Sequence, residues 1–188
     1  MDNDEAWLEA GFAMAAAQYV NAFADAIGVP LDGDEERPTL VAPLYPPPSL
    51  EKVPAARQKL LTQITDFYGG ELPNAFRYLV GRGSHLKATW DYVRGTLPDR
   101  VLSRPYKTMI GFAASVVTRS PYGINFHRRE LLRLGVGEEG ILEVLTIVQV
   151  FEAITKVADL LLMPAEIENK DMRLAPASRT GKHRHVAE

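Results

Sequence analysis

The chain has 188 residues, 46% of them hydrophobic and 24% charged, which is typical of one globular domain with a sizeable core. A formal net charge of −3 argues against nucleic-acid binding, which usually needs a basic surface. The absence of cysteine excludes disulfides, thiolate metal sites and cysteine nucleophiles. It also fits a reducing compartment, so we expect a cytoplasmic protein without a bound metal.

Two segments precede the main body. Apolar residues at helical spacing predict an N-terminal helix over about residues 4–27. Seven of the thirteen prolines fall in residues 29–54, which excludes helix and central strand there. We therefore divide the chain into an N-terminal helix (1–28), a proline-rich connector (29–54), a helical domain (55–168) and a basic, flexible tail (169–188).

The main body predicts a succession of helices separated by glycine and proline. Ser84 is expected to cap the third of them, and Ser120, followed by Pro121, the fifth. The helices are predicted at about residues 55–68, 74–80, 85–94, 105–119, 121–134 and from 138 onward. No segment shows sustained alternation, so the fold class is all-α.

The last helix contains the longest apolar stretch, residues 141–163. Glu143, Glu152 and Lys156 interrupt this stretch, so we expect a buried helix of a soluble protein and no membrane span. The tail beyond it holds His183 and His185, which are too few ligands for a metal site.

Residues 120–127 have the spacing Cys-x-x-Cys-x-x-x-His of a helical redox motif, but both cysteines are missing. Ser120 and Gly123 stand at the cysteine positions, and His127 stands at the histidine position. Spacings of three and four residues put all three on one face of a helix. The motif therefore predicts a site that cannot carry out thiol chemistry.

With this motif the chain resembles the AhpD-like, or carboxymuconolactone decarboxylase, superfamily over roughly residues 58–165. The last of the similar blocks is like that of the peroxidase-related branch. The blocks that carry the resemblance are residues 68–76, 97–100, 120–127, 132–141 and 153–159. The resemblance implies an all-α helical bundle that assembles into homo-oligomers. It also places a glutamate at the position of Thr108, so three of four redox positions differ and dithiol peroxidase activity is excluded.

The decarboxylase branch of that superfamily lacks the cysteine pair, keeps the histidine and uses no cofactor. This resemblance implies a cofactor-independent lyase, decarboxylase or isomerase that acts on a small organic acid. The alternative is a degenerate, non-catalytic oligomer with a binding or structural role. We expect neither nucleic acid nor membrane among its partners.

His127 is the candidate general acid and base, because an ordinary histidine pKa of about 6.5 suits proton transfer near neutrality. The alternative is a buried histidine held by a backbone carbonyl or a carboxylate. Glu152 is a possible partner acid. The residues expected to bind the substrate are Gly123, which would leave space beside the imidazole, and Ser120, Tyr122, Trp90 and Arg119.

Overall fold

A computed structural model of the chain describes residues 3–33, 42–51 and 53–162. Every regular element in these residues is a helix, which confirms the all-α prediction. The helices are α1 (Asn3–Ile27), α2 (Ala55–Phe67), α3 (Asn74–Leu79), α4 (Gly83–Thr96), α5 (Arg104–Val117), α6 (Pro121–Arg133) and α7 (Glu138–Leu160). No helix in these ranges is both long and apolar enough to cross a membrane.

The chain divides into two compact units, residues 1–152 and 153–188. The second is described only to residue 162, where α7 has ended in a turn. The predicted basic tail, with His183 and His185, lies outside the described residues. The division at residues 28, 54 and 168 stays a prediction.

Most predicted helix boundaries are confirmed to within two residues. Gly69 and Gly70 end α2 with φ angles of 73° and 99°, a backbone conformation that favours glycine. The prediction of Ser84 as a cap was wrong. Helix α4 begins at Gly83, so Arg82 takes the capping position without a side-chain hydrogen bond and Ser84 lies inside the first turn.

Helix α1 is part of the core of the first unit. It packs against α5 most extensively and also contacts α3, α4 and α6. Its inner face carries small buried side chains, which let the helix backbones approach closely: Ala13, Ala16, Ala17 and Ala24. The larger side chains around which the core is built include Ile64, Phe76, Leu86, Trp90 and Tyr122.

The prediction of a buried last helix was wrong. In the first unit, α7 buries Ile141 against Phe112 and Leu131, and Val148 is also buried. Other large apolar side chains of this helix are exposed, with Phe151 at 66%. The residues of the first unit that share this exposure are Leu142, Ile147 and Val150.

The described part of the connector, residues 29–33, 42–51 and 53–54, contains neither helix nor strand, as its prolines predicted. Its first residues run beside the start of α3. Asn74 donates through its side chain to the backbone oxygens of Pro30 and Leu31, and through its backbone to the carboxylate of Asp32. The connector thereby brings an acidic side chain to the helical body.

Candidate functional site

The N-terminus of α6 is built as the sequence predicted. Ser120 is buried, and its hydroxyl accepts a hydrogen bond of 2.9 Å from the backbone nitrogen of Gly123. Pro121 takes the first helical position. The carboxylate of Asp25 on α1 accepts a second bond, of 3.3 Å, from the backbone nitrogen of Tyr122. Ser120 therefore works as a cap, and two of the free helix nitrogens are satisfied.

The space beside Gly123 is filled by α1. A β-carbon at this glycine would overlap the carboxamide of Asn21. That carboxamide is buried and donates to the hydroxyl of Ser115 at 2.8 Å. We expected this space to hold a ligand. That prediction was wrong, because the side chain of Asn21 occupies it.

His127 lies in a closed and largely apolar environment. Its side chain is 5% exposed, its Nδ1 has no hydrogen-bond partner among the described residues, and its ring packs on Gly111 of α5. Burial lowers the pKa of the imidazole to about 4, so the ring is neutral at pH 7. The adjoining cavity of about 20 Å³ has room for about one water molecule. It is too small for an organic acid.

A second and much larger cavity lies on another side of Tyr68, Pro73 and Phe126, which line both spaces. This groove has a volume of about 480 Å³, the size of a small-molecule site. Its polar lining comes from the connector, the turn after α2, α3 and α6. The ionisable residues of that lining are Asp32, Tyr68, Glu71, Arg77, Arg129, Glu130 and Arg133.

Asp32 brings a partly buried carboxyl into the groove. Its Oδ1 accepts a hydrogen bond of 2.6 Å from the backbone nitrogen of Asn74, and its Oδ2 has no partner among the described residues. The hydroxyl of Tyr122 lies beside the carboxyl. Burial raises the pKa of Asp32 above that of an ordinary aspartate, because the charged form loses hydration.

Two arginines lie one helical turn apart on α6. Arg129 donates from Nη1 to the backbone oxygen of Asp32 at 3.0 Å and from Nη2 to Glu71 at 2.7 Å. Arg133 donates from Nε to the buried carboxylate of Glu130 at 2.7 Å, and Arg104 pairs with the same carboxylate. The groove therefore combines cationic side chains with a carboxyl that holds its proton to a raised pH.

The structure brings only some of the predicted site residues together. Tyr122 contributes to the His127 cavity and lies beside Asp32. Trp90 is buried in the aromatic core against Phe67 and Phe76, outside both cavities. The other two predicted residues, Arg119 and Glu152, are likewise absent from both linings.

Arg119 and Glu152 lie at the surface. Arg119 is exposed in the turn between α5 and α6, with a φ of 56°. Glu152 is partly exposed on α7 and does not line the cavity beside His127. Thr108, at the position of the glutamate, is buried and bonds to the backbone oxygen of Arg104.

The sequence did not predict that Asp32, Glu130 and Arg133 line the groove. Asp32 gives no local signal, because its bond to Asn74 spans 42 residues. Glu130 and Arg133 fit an amphipathic helix surface without any further meaning. One local signal existed. Residues 129, 130 and 133 of α6 are all charged, and side chains three or four positions apart on a helix lie close together.

Comparison with known proteins gave one finding. Residues 84–166 match the model of the carboxymuconolactone decarboxylase family. No curated protein and no solved structure matched the chain. The matched stretch contains the motif around His127 and the arginines of α6, whereas Asp32, Tyr68 and Glu71 precede it.

Proposed function

We propose that this chain is a cofactor-independent acid–base catalyst acting on a small organic acid, in keeping with the match of residues 84–166 to the carboxymuconolactone decarboxylase family of the AhpD-like superfamily. The reaction is a lyase, decarboxylase or isomerase step. The observation that carries the proposal is the groove of about 480 Å³, in which a carboxyl of raised pKa lies beside arginines.

In this proposal Arg129 binds the carboxylate of the substrate through charge-assisted hydrogen bonds, and Arg133, which stays paired with Glu130, adds positive charge to the groove. Asp32 donates a proton to a carbonyl or lactone oxygen as the negative charge develops there. Its raised pKa keeps it protonated to a higher pH than an ordinary aspartate. Tyr122, whose own pKa is raised well above its usual value by burial, keeps its proton beside the Asp32 carboxyl.

The test is a panel of small lactone and keto acids, followed by proton NMR and by release of CO₂. We expect Asp32→Asn to lower turnover by a factor of about 10² to 10⁴, the range for loss of a general acid. Because the protonated form is the active one, kcat/KM of the unmodified protein should fall as the pH rises through the raised pKa of Asp32. The matched control is Asp66→Asn, which removes an exposed acid of α2 outside the groove.

His127 is the competing candidate for the acid–base group. If His127→Leu abolished turnover while Asp32→Asn retained it, the chemistry would belong to the histidine cavity and the groove assignment would be wrong.

A second candidate function is a non-catalytic assembly protein. Two observations favour it: the filled space beside Gly123 and the exposed apolar side chains of α7. We propose that this helix face contacts a second copy of the chain in a homo-oligomer, a role compatible with either function. Failure of every acid in the panel to bind or react would favour the non-catalytic role.

A further inference from the structure

Glu71 reaches across the groove to Arg129, the residue to which the proposed function assigns the substrate carboxylate. We propose that Glu71 is an internal competitor, a carboxylate of the protein that occupies Arg129 until the carboxylate of the ligand displaces it. This inference rests on the proposed function for the identity of the ligand, but it concerns binding and can be tested without turnover.

Arg129 is held in place independently of Glu71. Its Nη1 donates to the backbone oxygen of Asp32 at 3.0 Å, and only its Nη2 donates to Glu71. Gly33 makes this position possible, because a β-carbon there would overlap the guanidinium. One edge of the guanidinium is therefore fixed by backbone, and the arginine keeps its position when the partner at the other edge changes.

Glu71, by contrast, is weakly held. Its side chain is 72% exposed, and Arg129 is its only ion-pair partner among the described residues. It follows Gly69 and Gly70, which both have positive φ angles and carry no side chain to pack against the helices. Exposed ion pairs of this kind contribute only about 0.2–1 kcal/mol, so another carboxylate at moderate concentration can replace this one.

The other glutamate of the groove does not share this property. Glu130 is buried and is paired with Arg104 on one side and Arg133 on the other. Removing a buried carboxylate from two partners would leave both guanidiniums without their anion, which is costly. The exchangeable carboxylate is therefore Glu71, and the guanidinium that it releases is that of Arg129.

The experiment is an NMR titration of the full-length protein with succinate as the probe. We expect Glu71→Gln to bind succinate about two to five times more tightly than the unmodified protein, since the internal competitor is lost. Asp66→Asn removes the same charge from a residue outside the groove, and we expect it to change the affinity less than Glu71→Gln. In an Arg129→Gln background, the substitution of Glu71 should have no further effect, because the two act as one pair.

The inference would be overturned by unchanged or weaker succinate binding in Glu71→Gln, by an equal gain in Asp66→Asn, or by a gain that persists in the Arg129→Gln background. Absence of succinate binding in all variants would also overturn it. Tighter binding in Glu71→Gln without conversion of any acid would support this inference and count against the proposed catalysis. Conversion of an acid, together with an unchanged succinate affinity in Glu71→Gln, would overturn this inference but not the proposed catalysis.

Discussion

Burial determines the charge of the His127 imidazole. In the unfolded chain its pKa is about 6.5, and in the folded protein it falls to about 4, because the charged ring would lose hydration. A base whose folded pKa is lowered binds fewer protons when folded, so its contribution to stability is present above pH 6.5 and is lost as the pH falls towards 4.

We expect this one residue to account for about 3 kcal/mol of the stability lost between pH 7 and pH 4, from the gap between its two pKa values. Replacing it by Leu removes the titration and the unpartnered Nδ1. The free energy of unfolding of His127→Leu should therefore fall less steeply with acid than that of the unmodified protein. Urea unfolding at several pH values measures both slopes.

Equal slopes for the two proteins would show that His127 is solvated and titrates normally. An NMR titration of the ring proton measures the pKa of His127 independently. A midpoint near 6.5 would contradict a buried ring.

At the scale of single residues, the features that could be predicted from the sequence are those that depend on residues nearby in the chain. Ser120 could be recognised as a helix cap, because a cap bonds within three residues of itself. The neighbours of Gly123 and of Asn74 could not be recognised, since Asn21 and Asp32 reach them across long separations along the chain. Three-dimensional packing alone decides which of many polar residues are brought into a cavity.

At the scale of elements, the contact between α5 and α6 depends on the absence of a side chain at Gly111. A β-carbon there would lie 2.7 Å from Cε1 of the His127 ring, closer than real contacts allow. Gly111→Ala should therefore cost about 1–3 kcal/mol of stability, the usual cost of overpacking. Thermal unfolding followed by circular dichroism provides the measurement.

The matched control is Gly95→Ala in the last turn of α4, where the added β-carbon meets nothing within 4 Å. This variant should be as stable as the unmodified protein or up to about 1 kcal/mol more stable, since alanine favours helix. An equal change of stability in the two variants would mean that the approach of the His127 ring does not govern position 111.

Helix positions were predictable because glycine and proline mark their ends locally. The burial of those helices was not. Helix α1 carries exposed apolar residues such as Trp7 and Phe12 but buries its alanine face in the core, whereas α7 exposes Ile147 and Phe151. Which apolar face is covered depends on the other helices, and a sequence pattern shows only that such a face exists.

At the scale of the whole molecule, the exposed side chains of α7 argue for self-association. Several large apolar side chains exposed on one helix, such as Ile147 and Phe151, favour a contact site there. We expect Phe151→Glu to weaken the homo-oligomer at least tenfold, about 1.4 kcal/mol, because the charge would be buried in the contact. Sedimentation velocity over a range of protein concentrations measures this change.

Gln149→Glu adds the same charge to an exposed position of the same helix and should leave the assembly unchanged. If Phe151→Glu behaved like this control, the face would not be the contact. A protein that is monomeric at every concentration would reject the homo-oligomer itself, and a cytoplasmic location stays a prediction.

The carboxamide of Asn21 has a consequence for any attempt to engineer a peroxidase from this scaffold. Cysteines introduced at positions 120 and 123 would have the spacing of the thiol motif. The side chain at position 123 would, however, collide with the carboxamide of Asn21 on α1. A peroxidase design thus also needs a distant change that shortens residue 21. Residue 21 lies outside the stretch that matches the family model, so introducing the motif alone would fail.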